Sequence, residues 1–182
     1  MINFKGQYIQ PITIQRKGID NNFHDYKVSL AELKTSSQND LIAINNLNCA
    51  WNNCQTLVND TAKIFNSLYA KTKSSEDEHF YVITTQKENY DKLNQDNILG
   101  ILQTKNKNGK IEIENLQVSP STNYFAIVRN FKQVGRSLVT AVINLNRDKS
   151  IELLSEFSAL PFYEKMGFVR TGNKTTRMVL KK

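Results

Sequence analysis

The sequence predicts an α/β fold: a mixed, mostly antiparallel sheet with helices on its flanks. Three observations carry this. Strand-like runs rich in β-branched and aromatic residues recur between Phe80 and Val118, and Asn108-Gly109 between two of them is a strong hairpin signal. The run KIEIENLQV, ending at Val118, leads through a loop into VGRSLVTAVINLN, which has helical spacing, and then into another strand. A helix crossing between two strands implies parallel pairing and a right-handed crossover. Upstream, Leu41, Ile44, Leu47 and Trp51 recur at the spacing of a helix face.

Taken in order, residues 8–16 and 25–33 read as two strands, with Pro11 placing the first at an edge or making it irregular. A helix over 37–53 follows, capped by Ser37 or Asn39, then a second over 55–70 and a charged connector over 71–78. Phe80 to Thr85, Ile98 to Thr104 and Lys110 to Val118 form three consecutive antiparallel strands. Residues 87–97 between the first two are a polar loop or short helix. The helix from Val134 to Asn146 carries Val134, Leu138, Val142 and Leu145 on one stripe, with Ala141 beside it. Ile151 to Phe157 is a strand. A short helix follows, with Ser158 as N-cap, Pro161 in its first turn and Gly167 at its C-terminal end. Arg177 to Lys181 is the closing strand. No linker, repeat or composition shift divides the chain, so residues 1–182 are expected to form one domain, with 1–22 as an N-terminal extension.

The chain has 182 residues, 40% of them apolar, and a formal charge of +7. That length supports a full core. No apolar run is long enough for a membrane helix, and MINFKGQYIQ lacks the apolar centre of a signal peptide, so a cytoplasmic protein without a membrane partner is expected. Cys49 and Cys54 read as reduced thiols on or beside a helix. With only two histidines, a zinc site or a His-based triad is disfavoured, and no metal is expected. The basic charge suits an anionic partner, but the lysines are scattered and no nucleic-acid motif accompanies them. The strand–loop–helix from Lys110 onward presents free N–H groups and the positive end of a helix dipole, the features of a phosphate site.

Two segments carry a family resemblance: IEIENLQVSP followed by FKQVGRSLVTAVI, and ALPFYEKMGF with a closing RMVL strand. With this element order they resemble the GNAT superfamily of acyl-CoA-dependent N-acetyltransferases. The resemblance is best over residues 80–182. It implies a central sheet containing a parallel, splayed pair of strands, with acetyl-CoA as co-substrate. The family's pyrophosphate loop usually reads Arg/Gln-x-x-Gly-x-Gly/Ala. Here Asn130 stands at the leading position after Arg129, Gln133 replaces the inner glycine, and Gly135 is kept. Lys132 and Arg136 supply compensating positive charge.

The resemblance implies that Leu116, Gln117 and Val118 hold the pantetheine arm. The segment Lys132, Gln133, Val134, Gly135, Arg136 and Ser137 would hold the pyrophosphate, with Phe162 also at the cofactor. Tyr163 takes the family's general-acid position; a phenol of pKa about 10 is protonated at neutral pH and suits a thiolate leaving group. Glu112 and Glu114 lie on one side of their strand and are the candidate bases, although the polar face of a half-buried strand alternates in the same way. Ser155 and Glu156 occupy positions that contact cofactor or substrate in some family members. The acceptor is then a primary amine on a small molecule, amino acid or protein; no acidic cluster is evident in the sequence to suggest a polycationic one. A toxin-type enzyme acting on aminoacyl-tRNA, suggested by the charge, and a non-catalytic acyl-CoA-binding module, suggested by Gln133, are the alternatives. Family members often form homodimers.

Overall fold

In a computed structural model the structure describes residues 7–34, 37–52, 77–87, 93–122 and 129–181. Nine strands make one sheet: β1 (Gln7–Lys17), β2 (Phe23–Glu32), β3 (Glu78–Thr84), β4 (Ile98–Lys107), β5 (Lys110–Val118), β6 (Phe131–Lys132), β7 (Ser150–Leu154), β8 (Phe168–Arg170) and β9 (Arg177–Leu180). Their spatial order is β6-β1-β2-β3-β4-β5-β7-β9-β8. Every neighbouring pair is antiparallel except β5 with β7. Among the described residues three helices accompany the sheet: α1 (Gln38–Asn52), α2 (Val134–Leu145) and α3 (Leu160–Glu164). The helix expected over 55–70 lies outside the described residues. Gln7–Lys17, within the segment read as an extension, is a strand of the sheet. No helix among the described residues is long and apolar enough to cross a membrane.

Alternation along the strands buries both faces of the sheet. Along β3, Tyr81 and Ile83 enter one core together with Leu30, Leu102, Ile113 and the α2 residues Leu138 and Val142. Phe80 and Val82 enter the other, with Ala31, Ile101 and the α1 residues Ile44, Leu47 and Trp51. Ser37 caps α1, its hydroxyl accepting the Asp40 N–H at 3.2 Å. β6 pairs with β1 only at Gln15 and Arg16, so Pro11 lies where β1 has an open edge among the described residues. The β4–β5 hairpin turns at Asn108 (φ 52°) and Gly109 (φ 77°), the two left-handed residues that a tight primed turn requires.

Three local expectations are corrected. Leu145 belongs to the α2 stripe by angle but sits on the last turn and is 42% exposed, while Val139 is fully buried. β7 stops at Leu154, because the chain turns into a 3₁₀ segment, Phe157–Ala159. That segment contains Ser158, so the N-cap of α3 is Ala159, with no side-chain cap bond.

Two features shape the centre of the sheet. Gln103 pairs with Asn115 and Thr104 with Ile113, so Glu114 is the extra residue of a β-bulge. The bulge reverses the alternation. Ile111 and Ile113 face the α2 core before it, and Leu116 and Val118 face that core after it. β5 and β7 are paired only from Lys110/Ser150 to Ile113/Leu153; beyond that point no rung joins them, and the pair opens. α2 lies close over β4: a Cβ on Gly100 would stand 2.8 Å from Val134 Cγ1 and 2.9 Å from Leu138 Cδ1.

Candidate active site

The opening between β5 and β7 carries a cavity on either side. The first has a volume of about 700 Å³ and lies between the end of β5, the start of α2 and α3. Leu116 and Val118 form its apolar wall, with Phe162 opposite. Arg129, Lys132, Arg136 and Lys165 line it, and no carboxylate does among the described residues. Arg129 is held in place by Nε–H donation to the carbonyls of Thr122 and Phe131, both at 3.1 Å. The Lys132 ammonium lies 3.7 Å from the centre of the Phe23 ring.

Gln133, Val134 and Gly135 bring the N-terminus of α2 to this cavity. The first helical bond runs from Ser137 N–H to the Gln133 carbonyl at 2.8 Å, and Gln133 makes no side-chain cap bond. The N–H groups of the first turn therefore have no partner inside the helix. Gln133 itself adopts φ 68°, the left-handed conformation that favours glycine. The backbone at this position thus has the shape a glycine would allow, although a glutamine occupies it. Gly135 leaves space instead: a Cβ there would reach Val118 Cγ1 at 3.5 Å and Phe162 Cζ at 3.8 Å, narrowing the groove without a clash.

The second cavity, about 460 Å³, opens on the other side of the splay. Glu112, Glu114 and Asn115 from β5, Leu154, Ser155 and Glu156 at the end of β7, and Tyr163 from α3 line it. The two cavities share Leu116 and Ala159. Lys107 bridges Glu112 and Glu114, at 3.3 Å from the latter. Bonding to Glu112, and less to Glu114, holds the Lys107 pKa above its ordinary value. Tyr163 is buried, its ring edge-on to Phe162 at 4.9 Å and to Phe168 at 5.8 Å. Ser155 is buried, its hydroxyl donating to the Glu156 carbonyl at 2.8 Å.

The first cavity thus gathers Leu116, Val118, Lys132, Gln133, Val134, Gly135, Arg136 and Phe162 of the residues singled out in the sequence; the second gathers Glu112, Glu114 and Tyr163. Gln117 and Ser137 line neither. Gln117 is buried on the opposite side of β5 from its neighbours, and the Ser137 hydroxyl donates to the Thr13 carbonyl at 3.3 Å. Arg129 and Lys165 were not singled out as cofactor contacts. Lys165 had a signal, since it follows Tyr163 by two positions; Arg129 acquires its place only through the fold. Among the described residues no group of His, Cys, Asp and Glu side chains could hold a metal ion.

A mixed sheet with one splayed parallel pair, a bulge beside the opening and a helix N-terminus aimed into it define the GNAT-type fold. Solved structures share it. An N-acetyltransferase from Thermoplasma acidophilum, in complex with coenzyme A, is 14% identical over 84% of this chain and 96% of its own, with a TM-score of 0.51. YhhK from E. coli, a suggested N-acetyltransferase bound to coenzyme A, is 12% identical over 86% of this chain and all of its own, with a TM-score of 0.53. An acetyltransferase of the GNAT family assigned in Desulfovibrio desulfuricans is 12% identical, covers 83% and 95%, and has a TM-score of 0.54. No family model and no curated protein matches the sequence.

Proposed function

We propose that the protein is an acetyl-CoA-dependent N-acetyltransferase that moves an acetyl group to a primary amine. The observation that carries this reading is the pair of oppositely charged cavities meeting at Leu116 and Ala159. Coenzyme A is a polyanion on a thin, largely apolar arm. A groove that among the described residues has four cations and no carboxylate, with an apolar wall and a helix start, fits it. Solved neighbours with this fold hold coenzyme A, which supports the assignment.

In this reading the first-turn N–H groups of α2, with Lys132 and Arg136, hold the pyrophosphate. The exposed face of Gly135 lets it approach. Leu116 and Val118 flank the pantetheine arm, and the co-substrate supplies an activated acetyl group at the junction of the cavities. The amine enters from the second cavity. As its nitrogen bonds to the acetyl carbon, the carbon–sulfur bond breaks, the nitrogen loses a proton and the sulfur must gain one. Tyr163, which lines the second cavity, gives its proton to the sulfur in this reading. Glu112 or Glu114 takes the proton of the amine, directly or through water, with Lys107 balancing their charge. Developing charge on the acetyl oxygen is met by backbone N–H groups at the end of β5.

The acidic lining of the acceptor cavity weighs against a nucleic-acid-borne acceptor, because phosphates would meet Glu112, Glu114 and Glu156 there. A binding module without turnover is the remaining reading, and Gln133 motivates it. Thermal unfolding with and without acetyl-CoA tests the cofactor assignment. At 100 times the dissociation constant, binding adds about 2.7 kcal/mol of stability. No shift at millimolar acetyl-CoA would remove the assignment.

A further inference from the structure

We propose that Asn115 holds the reacting amine: its side-chain oxygen accepts one N–H of the acceptor, and a relay from Glu78 through the buried Gln103 keeps that oxygen turned to the cavity. This rests on the proposed acetyl transfer. Asn115 lines the second cavity beside Glu112 and Leu116. The bulge at Glu114 puts it there. It sets Asn115 opposite Gln103, a place that unbroken pairing would give to Glu114. It also turns Asn115 to the same side of the sheet as Glu112, away from the α2 core.

The relay has one direction. Lys105 pairs with one oxygen of Glu78 at 3.2 Å. The Glu78 carboxylate therefore acts as an acceptor, and its other oxygen takes the Gln103 Nε2–H at 3.3 Å. Gln103, 1% exposed, must then present its Oε1 on the far side, where it accepts the Asn115 Nδ2–H at 2.7 Å. With its NH2 group turned to Gln103, Asn115 has its Oδ1 left for the cavity, and none of the described residues donates to that oxygen. Glu78 and Gln103 are thus positioning residues, and they fix which end of the Asn115 amide an acceptor meets.

A neutral primary amine carries two N–H bonds. One proton leaves to the base as the carbon–nitrogen bond forms, and the other stays in the amide product. Asn115 Oδ1 accepts the second N–H and so fixes the nitrogen with its lone pair free for the acetyl carbon. An amide oxygen does this without the negative charge that would favour the unreactive ammonium. A secondary amine has a single N–H, which must go to the base, so it leaves Asn115 without its bond.

The test measures acetylation of benzylamine, n-butylamine and alaninamide, and of their N-methyl counterparts, with acetyl-CoA thermal stabilisation in parallel. Wild type is compared with Asn115→Leu, with Asn115→Asp and with the double variant Glu78→Gln/Asn115→Asp. Leucine keeps the shape and removes the oxygen, so crowding of the N-methyl group would survive in that variant. Asn115→Asp alone sets two acceptors face to face at Gln103. The double variant reverses every donor in the relay, keeps an oxygen in the cavity and leaves the net charge unchanged. Wild type is expected to favour the primary amine of an acetylated pair by about 10-fold in kcat/KM, as a site built around an N–H contact allows. In Asn115→Leu that ratio falls to about parity through loss of primary-amine turnover. Asn115→Asp loses it as well, and the double variant regains it. Should Asn115→Leu not fold, the comparison of Asn115→Asp with the double variant decides. An unchanged ratio in Asn115→Leu, a double variant no better than Asn115→Asp, or no acetylation of any of the three primary amines by protein that acetyl-CoA stabilises would each overturn the role of Asn115 while leaving the cofactor assignment standing. Failure of acetyl-CoA to stabilise the wild type removes both.

Discussion

The two cavities are built in opposite ways. The basic one takes most of its polar lining from one stretch, Arg129 to Arg136, where strand end, loop and helix start succeed one another along the chain. The acidic one is assembled from β5, the end of β7 and α3, elements brought together by a parallel crossover and by a bulge at Glu114. A site made of contiguous residues has a backbone geometry that local sequence can specify. A site made of distant ones depends on where the sheet opens. The difference also separates their charge: among the described residues, four cations and no carboxylate on one side, three carboxylates on the other.

The largest way to break this contrast is to put the wrong charge on the basic side. Gly135→Glu adds bulk toward Val118 and Phe162 and an anion at the helix start. It is expected to weaken acetyl-CoA binding by about 100-fold or more in calorimetric titration, since charge-assisted phosphate contacts are among the strongest a site makes. Unchanged affinity would remove the phosphate assignment. In the second cavity, Tyr163→Phe is expected to lower kcat about 100-fold while acetyl-CoA affinity stays near wild type, as loss of a positioned proton donor should. Equal turnover would take Tyr163 out of the acid role and leave it as packing against Phe162 and Phe168.

Smaller effects test the frame that holds the cavities. Gly100→Ala forces a Cβ against Val134 and Leu138, and overpacking of this kind costs about 1–3 kcal/mol in denaturant unfolding. Wild-type stability in that variant would mean that α2 can move off β4. Glu32 and His79 make an ion pair at 2.6 Å away from both cavities. Hydrogen bonding to His79 holds the Glu32 carboxyl below its ordinary value of 4.5. A lowered acid pKa contributes stability that is complete above the unfolded value and is lost as pH falls through the folded one. His79→Ala should therefore be less stable than wild type near pH 6, with the gap closing as pH drops below 4.5. A gap that is constant with pH contradicts the pairing. The smallest effect is at Gln133, where glycine would relieve the left-handed backbone by about 1 kcal/mol and return roughly half of that as chain entropy. A slight rise in melting temperature is expected; a fall would mean that the Gln133 side chain contributes more than its backbone costs.

These comparisons also explain how far the sequence could be read. The Asn108-Gly109 hairpin, the α2 stripe and the crossover into β7 each rest on short-range chemistry, and each is where the residues place it. The segment proposed to hold the phosphates is legible for the same reason, including the position at which Gln133 adopts a glycine-like backbone. The residues of the acidic cavity, Glu112, Glu114, Glu156 and Tyr163, are reached only through the family resemblance: they show no acidic cluster in the sequence, because β5 and the end of β7 come together across a splay that no local pattern encodes. Gln117 and Ser137, placed at the cofactor by the family resemblance, line neither cavity. The bulge at Glu114 turns Gln117 away from Leu116 and Val118, and Ser137 reaches back to Thr13 of β1 instead of the groove.

The central claim is that the two cavities exchange an acetyl group through their shared wall. Incubation with acetyl-CoA labelled in its acetyl group and a panel of small amines, followed by mass analysis of the amines and thiol titration of the coenzyme, tests it directly. The account predicts labelled N-acetyl amine formed in step with free coenzyme A, and loss of both in Tyr163→Phe. Tight acetyl-CoA binding with no labelled amine and no released thiol would contradict it.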